Sequence, residues 1–157
     1  MTDRAFQDDY PDDWSVCYGC GRLNEQGLHI QSRWDGEESV CTFQPRPYHT
    51  AIPGFVYGGL IASVIDCHAT GTASAVAYRA ANRPPGSDPP FRFVTAALHV
   101  DYLRPTPMGP PLELRATPKE VKMFSLFARS FFAFSFTASR WIFTGHTLYA
   151  QPNPAPR

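Results

Sequence analysis

Asp66 is flanked by Ile65 and Cys67, with Ala62 and Ala69 as its neighbours at helical spacing. A carboxylate among small residues can serve as a general base or a nucleophile when it is turned into a cleft. It can equally be solvated or bonded to backbone. Upstream, Pro53-Gly54-Phe55-Val56-Tyr57 runs into Gly58-Gly59. Two adjacent glycines inside a helix would cost about 1 kcal/mol each relative to alanine. At a helix N-terminus they leave unpaired N–H groups at the positive end of the dipole, where an oxygen gaining negative charge can bind. A tight turn explains the pair equally well on the local pattern. Thr95 offers a hydroxyl at the start of a strand-like segment, and threonine is common in strands.

The four cysteines are Cys17, Cys20, Cys41 and Cys67. Cys17-Tyr18-Gly19-Cys20 has zinc-knuckle or redox spacing, but no second C-x-x-C completes a four-thiolate site. His29 and His49 complete a mixed site only on paper. Reduced structural thiols, with no metal and no cofactor, are the expectation.

These groups need elements to hold them. From Gly58 to about Ala81, Leu60, Ile61, Val64, Ile65 and His68 fall on one arc at the helical repeat. Ala62, Asp66, Ala69 and Ala73 lie opposite, a face small enough for another piece of protein to approach closely. Leu28–Trp34 and Ser39–Gln44 read as strands joined by a turn at Asp35-Gly36-Glu37-Glu38. After a Pro/Gly loop at 82–90 come Thr95–Leu103, Pro111–Pro118, a segment within Val121–Ala138, and Trp141–Ala150. The Met123–Phe136 stretch fits either period, and its place between two strand-like segments favours strand. Two strands, one long helix and four strands make an α+β pattern, with one helix against one sheet.

The 14 basic and 14 acidic residues cancel, so no bulk field points to nucleic acid or an anionic membrane. Residues 1–14, with five aspartates and no apolar run, lack signal-peptide character and read as a flexible acidic lead-in. Residues 15–150 form one domain and 151–157 a Pro-rich tail. The expectation is a cytoplasmic protein.

Taken in order, the motifs carry a resemblance. Cys17-Tyr18-Gly19-Cys20-Gly21 is followed by Asn24 and Gly27-Leu28, then Pro53-Gly54-Phe55-Val56-x-Gly58-Gly59-Leu60. Asp66 comes next, then Thr95 to Asp101-Tyr102-Leu103-Arg104-Pro105-Thr106-Pro107. This set, over about residues 15–115, resembles the hotdog-fold acyl-CoA thioesterases of the phenylacetate-degradation and THEM-like branch. The resemblance implies a long central helix wrapped by an antiparallel sheet of five to six strands. It also implies a homodimer, or a dimer of dimers, with sites at the subunit interface. It assigns an oxyanion hole to the amide of Gly58 or Gly59, and the base or nucleophile to Asp66, facing a partner's helix start. Thr95 would position the water or carboxylate. Arg104 is a candidate for the phosphates of coenzyme A, and His49 matches a histidine of the loop before the glycines.

Two features depart from that pattern. The family motif is His-Gly-Gly, whereas this chain has Tyr57 in the histidine position. A phenol with a pKa near 10 is no base at neutral pH. Residues 123–143 are also unusually rich in phenylalanine, as core, interface or the lining of an acyl pocket. Hydrolysis of an acyl-CoA thioester is therefore the leading expectation. A non-catalytic hotdog protein binding an acyl-CoA or related apolar ligand is its rival. A hydroxyacyl dehydratase fits poorly, because His68 falls on the opposite helix face from Asp66.

Overall fold

The computed structural model describes residues 4–122, 131–138 and 141–149. Strands β1 (Ser32–Asp35) and β2 (Glu38–Phe43) precede helix α1 (Gly58–Ala80). β3 (Val94–Leu98), β4 (Leu112–Lys122), β5 (Phe131–Ala138) and β6 (Trp141–Tyr149) follow it. All pair antiparallel in one six-stranded sheet of order β1-β2-β4-β5-β6-β3. This is a hotdog fold of the expected α+β order. The ambiguous Phe-rich stretch forms a strand over Phe131–Ala138. Residues 123–130 and the Pro-rich tail lie outside the described residues.

On β2, Ser39, Cys41 and Phe43 alternate inward, paired with Ala116, Leu114 and Leu112 of β4. This inner face meets Leu60, Ile61, Val64 and Ile65 of α1 in one core. Each fully buried aliphatic side chain there contributes about 1.5–3 kcal/mol. The helix starts where Tyr57 is still extended and ends before Asn82, which adopts positive φ ahead of Pro84-Pro85. It is long and apolar enough to cross a membrane, yet 72% of its apolar window is buried inside the protein, as a core helix.

Three expectations change. Ala69 and Ala73 are fully buried in this chain's own core, so the small face left half-open is shorter. It consists of Gly59, Ala62, Ser63, Asp66 and Thr70. β3 ends at Leu98 instead of Leu103, and Asp101–Arg104 lie in irregular chain. Residues 4–14 are packed onto the domain. Phe6 meets the Trp34 ring at 5.1 Å, and the Ser32 N–H donates to buried Gln7 Oε1 at 2.8 Å. Arginine partners meet its acids: Arg4 with Asp9, Arg22 with Asp12, and Arg92 with Asp13. The aromatic anchors outweigh the charge that made this segment look unstructured.

Candidate active site

The start of α1 is fixed from two sides. Val56 N–H donates to Thr106 O at 2.8 Å, and Tyr57 N–H donates to His49 O at 2.9 Å. The amides of Leu60 and Ile61 turn back to Tyr57 O, at 3.1 and 3.3 Å. Among the described residues, the Gly58 and Gly59 N–H groups then have no acceptor. That is the arrangement of an anion-receiving helix end. The Tyr102 hydroxyl, which the sequence did not single out, donates to Gly58 O at 2.8 Å. The exposed Tyr57 ring lies against Gly59, where an added Cβ would stand 2.5 Å from it.

Asp66 sits two turns on. The Thr95 hydroxyl of β3 donates to Asp66 Oδ1. Burial holds the Asp66 carboxyl above the usual carboxylate range, the Thr95 hydrogen bond pulls it back, and the nearby Cys17 raises it again. A half-buried carboxylate raised in this way is a stronger base than a free one. Seven residues at 1.5 Å rise separate Asp66 from Gly59, about 10.5 Å along the axis. One chain's carboxylate and its own helix-end amides therefore do not meet across a single reacting group.

Arg104 lines a hollow of about 270 Å3 with Val56, Gly58, Tyr102 and Thr106, beside the bare amides. His49 is placed differently. Its Nδ1 accepts the Arg46 N–H at 3.1 Å and its ring stacks on Phe43. Burial and the Arg46 charge lower its pKa. The ring lines a separate cavity of about 620 Å3 with Arg46 and Tyr48. Only its carbonyl reaches the helix start.

Sequence reasoning missed the convergence of Cys67 with Cys17 and Cys20, whose sulfurs all lie within 4.8 Å of one another. No spacing rule connects residues fifty positions apart. The Cys17 and Cys67 sulfurs are 3.8 Å apart, a contact that lowers the Cys17 pKa and raises that of Cys67.

One long helix laid across an antiparallel six-stranded sheet is the hotdog architecture. Comparison with known proteins agrees. The thioesterase superfamily profile matches residues 53–130. A crystal structure of a thioesterase superfamily protein from Shewanella loihica PV-4 is 43% identical, covering 92% of this chain and 100% of that one, with a TM-score of 0.65. The chain belongs to the thioesterase superfamily. The acyl-coenzyme A thioesterase THEM4 of Xenopus laevis is 39% identical over 70 residues. That match spans 45% of this chain and 26% of the curated relative. The PaaI protein from the phenylacetic acid degradation operon of E. coli shares the fold at a TM-score of 0.58 and 14% identity, covering 80% of this chain and 81% of that one.

Proposed function

We propose that this protein hydrolyses acyl-CoA thioesters to the free acid and coenzyme A. The observation that carries the reading is the Asp66 carboxylate, half-buried, raised in pKa and oriented by Thr95. As general base, Asp66 takes a proton from water while the water oxygen attacks the thioester carbonyl carbon. The Gly58 and Gly59 amides receive the negative charge on the carbonyl oxygen. Collapse expels the thiolate of coenzyme A, which leaves with the proton held by Asp66. Direct attack by the carboxylate is the variant mechanism, with water then cleaving the anhydride. Neither route assigns a metal to the reaction. Arg104, which lines the hollow beside Gly58, would take a coenzyme A phosphate.

The site is proposed to form between two copies. The distance along α1 between Asp66 and Gly59 supports this, since only another chain's helix start can complete the first chain's carboxylate. β3 is an edge strand, and Val94 and Leu98 on it are exposed, as are Tyr57, Tyr102 and Leu103 beyond. The half-open stripe of Gly59, Ala62, Ser63 and Asp66 is small enough for close approach. Sizing in solution distinguishes the dimer from a dimer of dimers.

Tyr57 favours one second reading, because its ring rests on Gly59 where the substrate oxygen would bind. A panel of short, long and aromatic acyl-CoAs, followed by release of free thiol, separates the two. Release that vanishes in Asp66→Asn supports hydrolysis. Binding of acyl-CoA without release by the unaltered protein overturns it in favour of a carrier.

A further inference from the structure

The loop Cys17-Tyr18-Gly19-Cys20-Gly21 precedes the stretch matched by the superfamily profile, and the proposed hydrolysis uses none of its side chains. It is nevertheless closely built. The Leu28 and Ile30 N–H groups donate to Tyr18 O and Gly19 O, at 2.8 and 2.9 Å. Gly21 N–H donates to Cys17 O at 2.8 Å, and Cys17 N–H donates to Trp14 O at 3.2 Å. The loop is thus held by backbone hydrogen bonds on both sides of its two cysteines. It is also pressed onto α1 at Cys67, where a Cβ on Gly19 would stand 2.0 Å from Cys67 Sγ.

The three sulfurs lie within 4.8 Å of one another, and Cys17 Sγ and Cys67 Sγ are 3.8 Å apart. A tetrahedral site with metal–sulfur bonds of about 2.3 Å has sulfur–sulfur edges of about 3.8 Å. A disulfide would join two of these thiols and leave the third, with its built surroundings, unused. Three sulfur donors without an oxygen or nitrogen partner select a soft or borderline cation over magnesium or calcium. Beside them opens a cavity of about 350 Å3, lined also by Tyr10, Trp14, Thr70 and Arg92.

We propose that Cys17, Cys20 and Cys67 bind one zinc ion per chain as three thiolates, with the fourth position open to that cavity. Each thiol that binds gives its proton to solvent. The ion clamps the 17–20 loop to α1 one residue from Asp66, and none of its three ligands takes part in the proposed hydrolysis. Loss of the zinc site and loss of acyl-CoA hydrolysis are separate outcomes.

The test uses the full chain, reduced and stripped with a chelator. It is then titrated with Zn2+ against a chromogenic competitor, and its metal content is read by mass spectrometry. One zinc per chain is expected, with affinity falling more than about tenfold in Cys17→Ser and Cys67→Ser. Cys41→Ser, at the buried thiol of β2, binds as the unaltered chain does. Co2+ gives a thiolate-to-metal charge-transfer band that Cys67→Ser loses. Because Cys67 is buried, a second measurement uses the unaltered protein. Zn2+ slows alkylation of Cys17, Cys20 and Cys67 while leaving Cys41 unchanged. Zinc far below one per chain, equal affinity in Cys67→Ser, or alkylation indifferent to Zn2+ overturns the proposal.

Discussion

Thr95 and Asp66 are 29 positions apart, and the Thr95 hydroxyl, on an edge strand, donates to the Asp66 carboxylate on the core helix. Neither residue is distinctive alone. Together they make an oriented, half-buried carboxylate on the half-open stripe of α1.

Replacing that carboxylate with an isosteric amide removes the base and keeps the volume. Asp66→Asn is expected to lower kcat by about 10²- to 10⁴-fold. Thiol release from acyl-CoA measures it, with the thermal midpoint and the oligomeric state staying close to those of the unaltered protein. Full activity in this variant would remove Asp66 from the mechanism.

Thr95→Ala acts on the pH profile. The hydrogen bond favours the charged carboxylate, so its loss raises the Asp66 pKa further above the usual range. The base form exists above that pKa, so activity rises with pH through it. The acid limb of kcat/KM moves to higher pH in Thr95→Ala, and Thr95→Ser restores it. The comparison is made on chelator-treated protein. An unmoved limb with kcat alone reduced would make Thr95 a structural residue only.

Two glycine substitutions should differ because of what each new Cβ meets. On Gly59 it would meet the exposed Tyr57 ring, which can rotate away. Gly59→Ala should therefore change stability by less than about 1 kcal/mol, helix propensity offsetting the clash. On Gly19 it would meet both the sulfur and the Cβ of Cys67, at 2.0 and 3.0 Å, and that Cβ is fixed to the core helix. Gly19→Ala should cost about 1–3 kcal/mol, read from urea unfolding, and much of that loss should vanish in a Cys67→Ala background.

Tyr57→His restores the residue of the family motif at the helix start. Since the Gly58 and Gly59 amides are backbone groups, they survive the change. The expected result is activity equal to or above that of the unaltered chain on at least one acyl-CoA. Activity falling on every substrate would show that the phenol itself contributes to the site.

His68 sets an acid limit on stability. Its Nδ1 lies 2.8 Å from Ser32 Oγ and its Nε2 3.4 Å from Ser39 Oγ, and burial lowers its pKa from 6.5 to about 3. The unfolded chain takes up this proton below about 6.5, whereas the folded chain resists it until about 3. The contribution is complete above the unfolded value and is lost as pH falls through that window, by an order of a few kcal/mol. Urea unfolding of metal-free protein across the window checks it. His68→Gln, which does not titrate, should flatten that part of the slope.

The sequence determined by itself what depends on neighbours three or four positions apart. The repeat of Leu60, Ile61, Val64, Ile65 and His68 marked α1 within one residue of its observed end, and Gly58-Gly59 marked its start. The turn at Asp35–Glu38 and the succession of two strands, one helix and four strands along the chain were also legible, because alternation and turn chemistry are local. Tertiary structure alone decided the rest. Ala69 and Ala73 match Ala62 in type and face, yet only packing buries them. Asp13 of the acidic lead-in met Arg92, 79 positions away. Cys67 met Cys17 and Cys20, and Asp66 met Thr95, because a loop and an edge strand were laid across one helix. Such meetings rest on long-range pairing and burial, which leave no period in the chain for a reader to find.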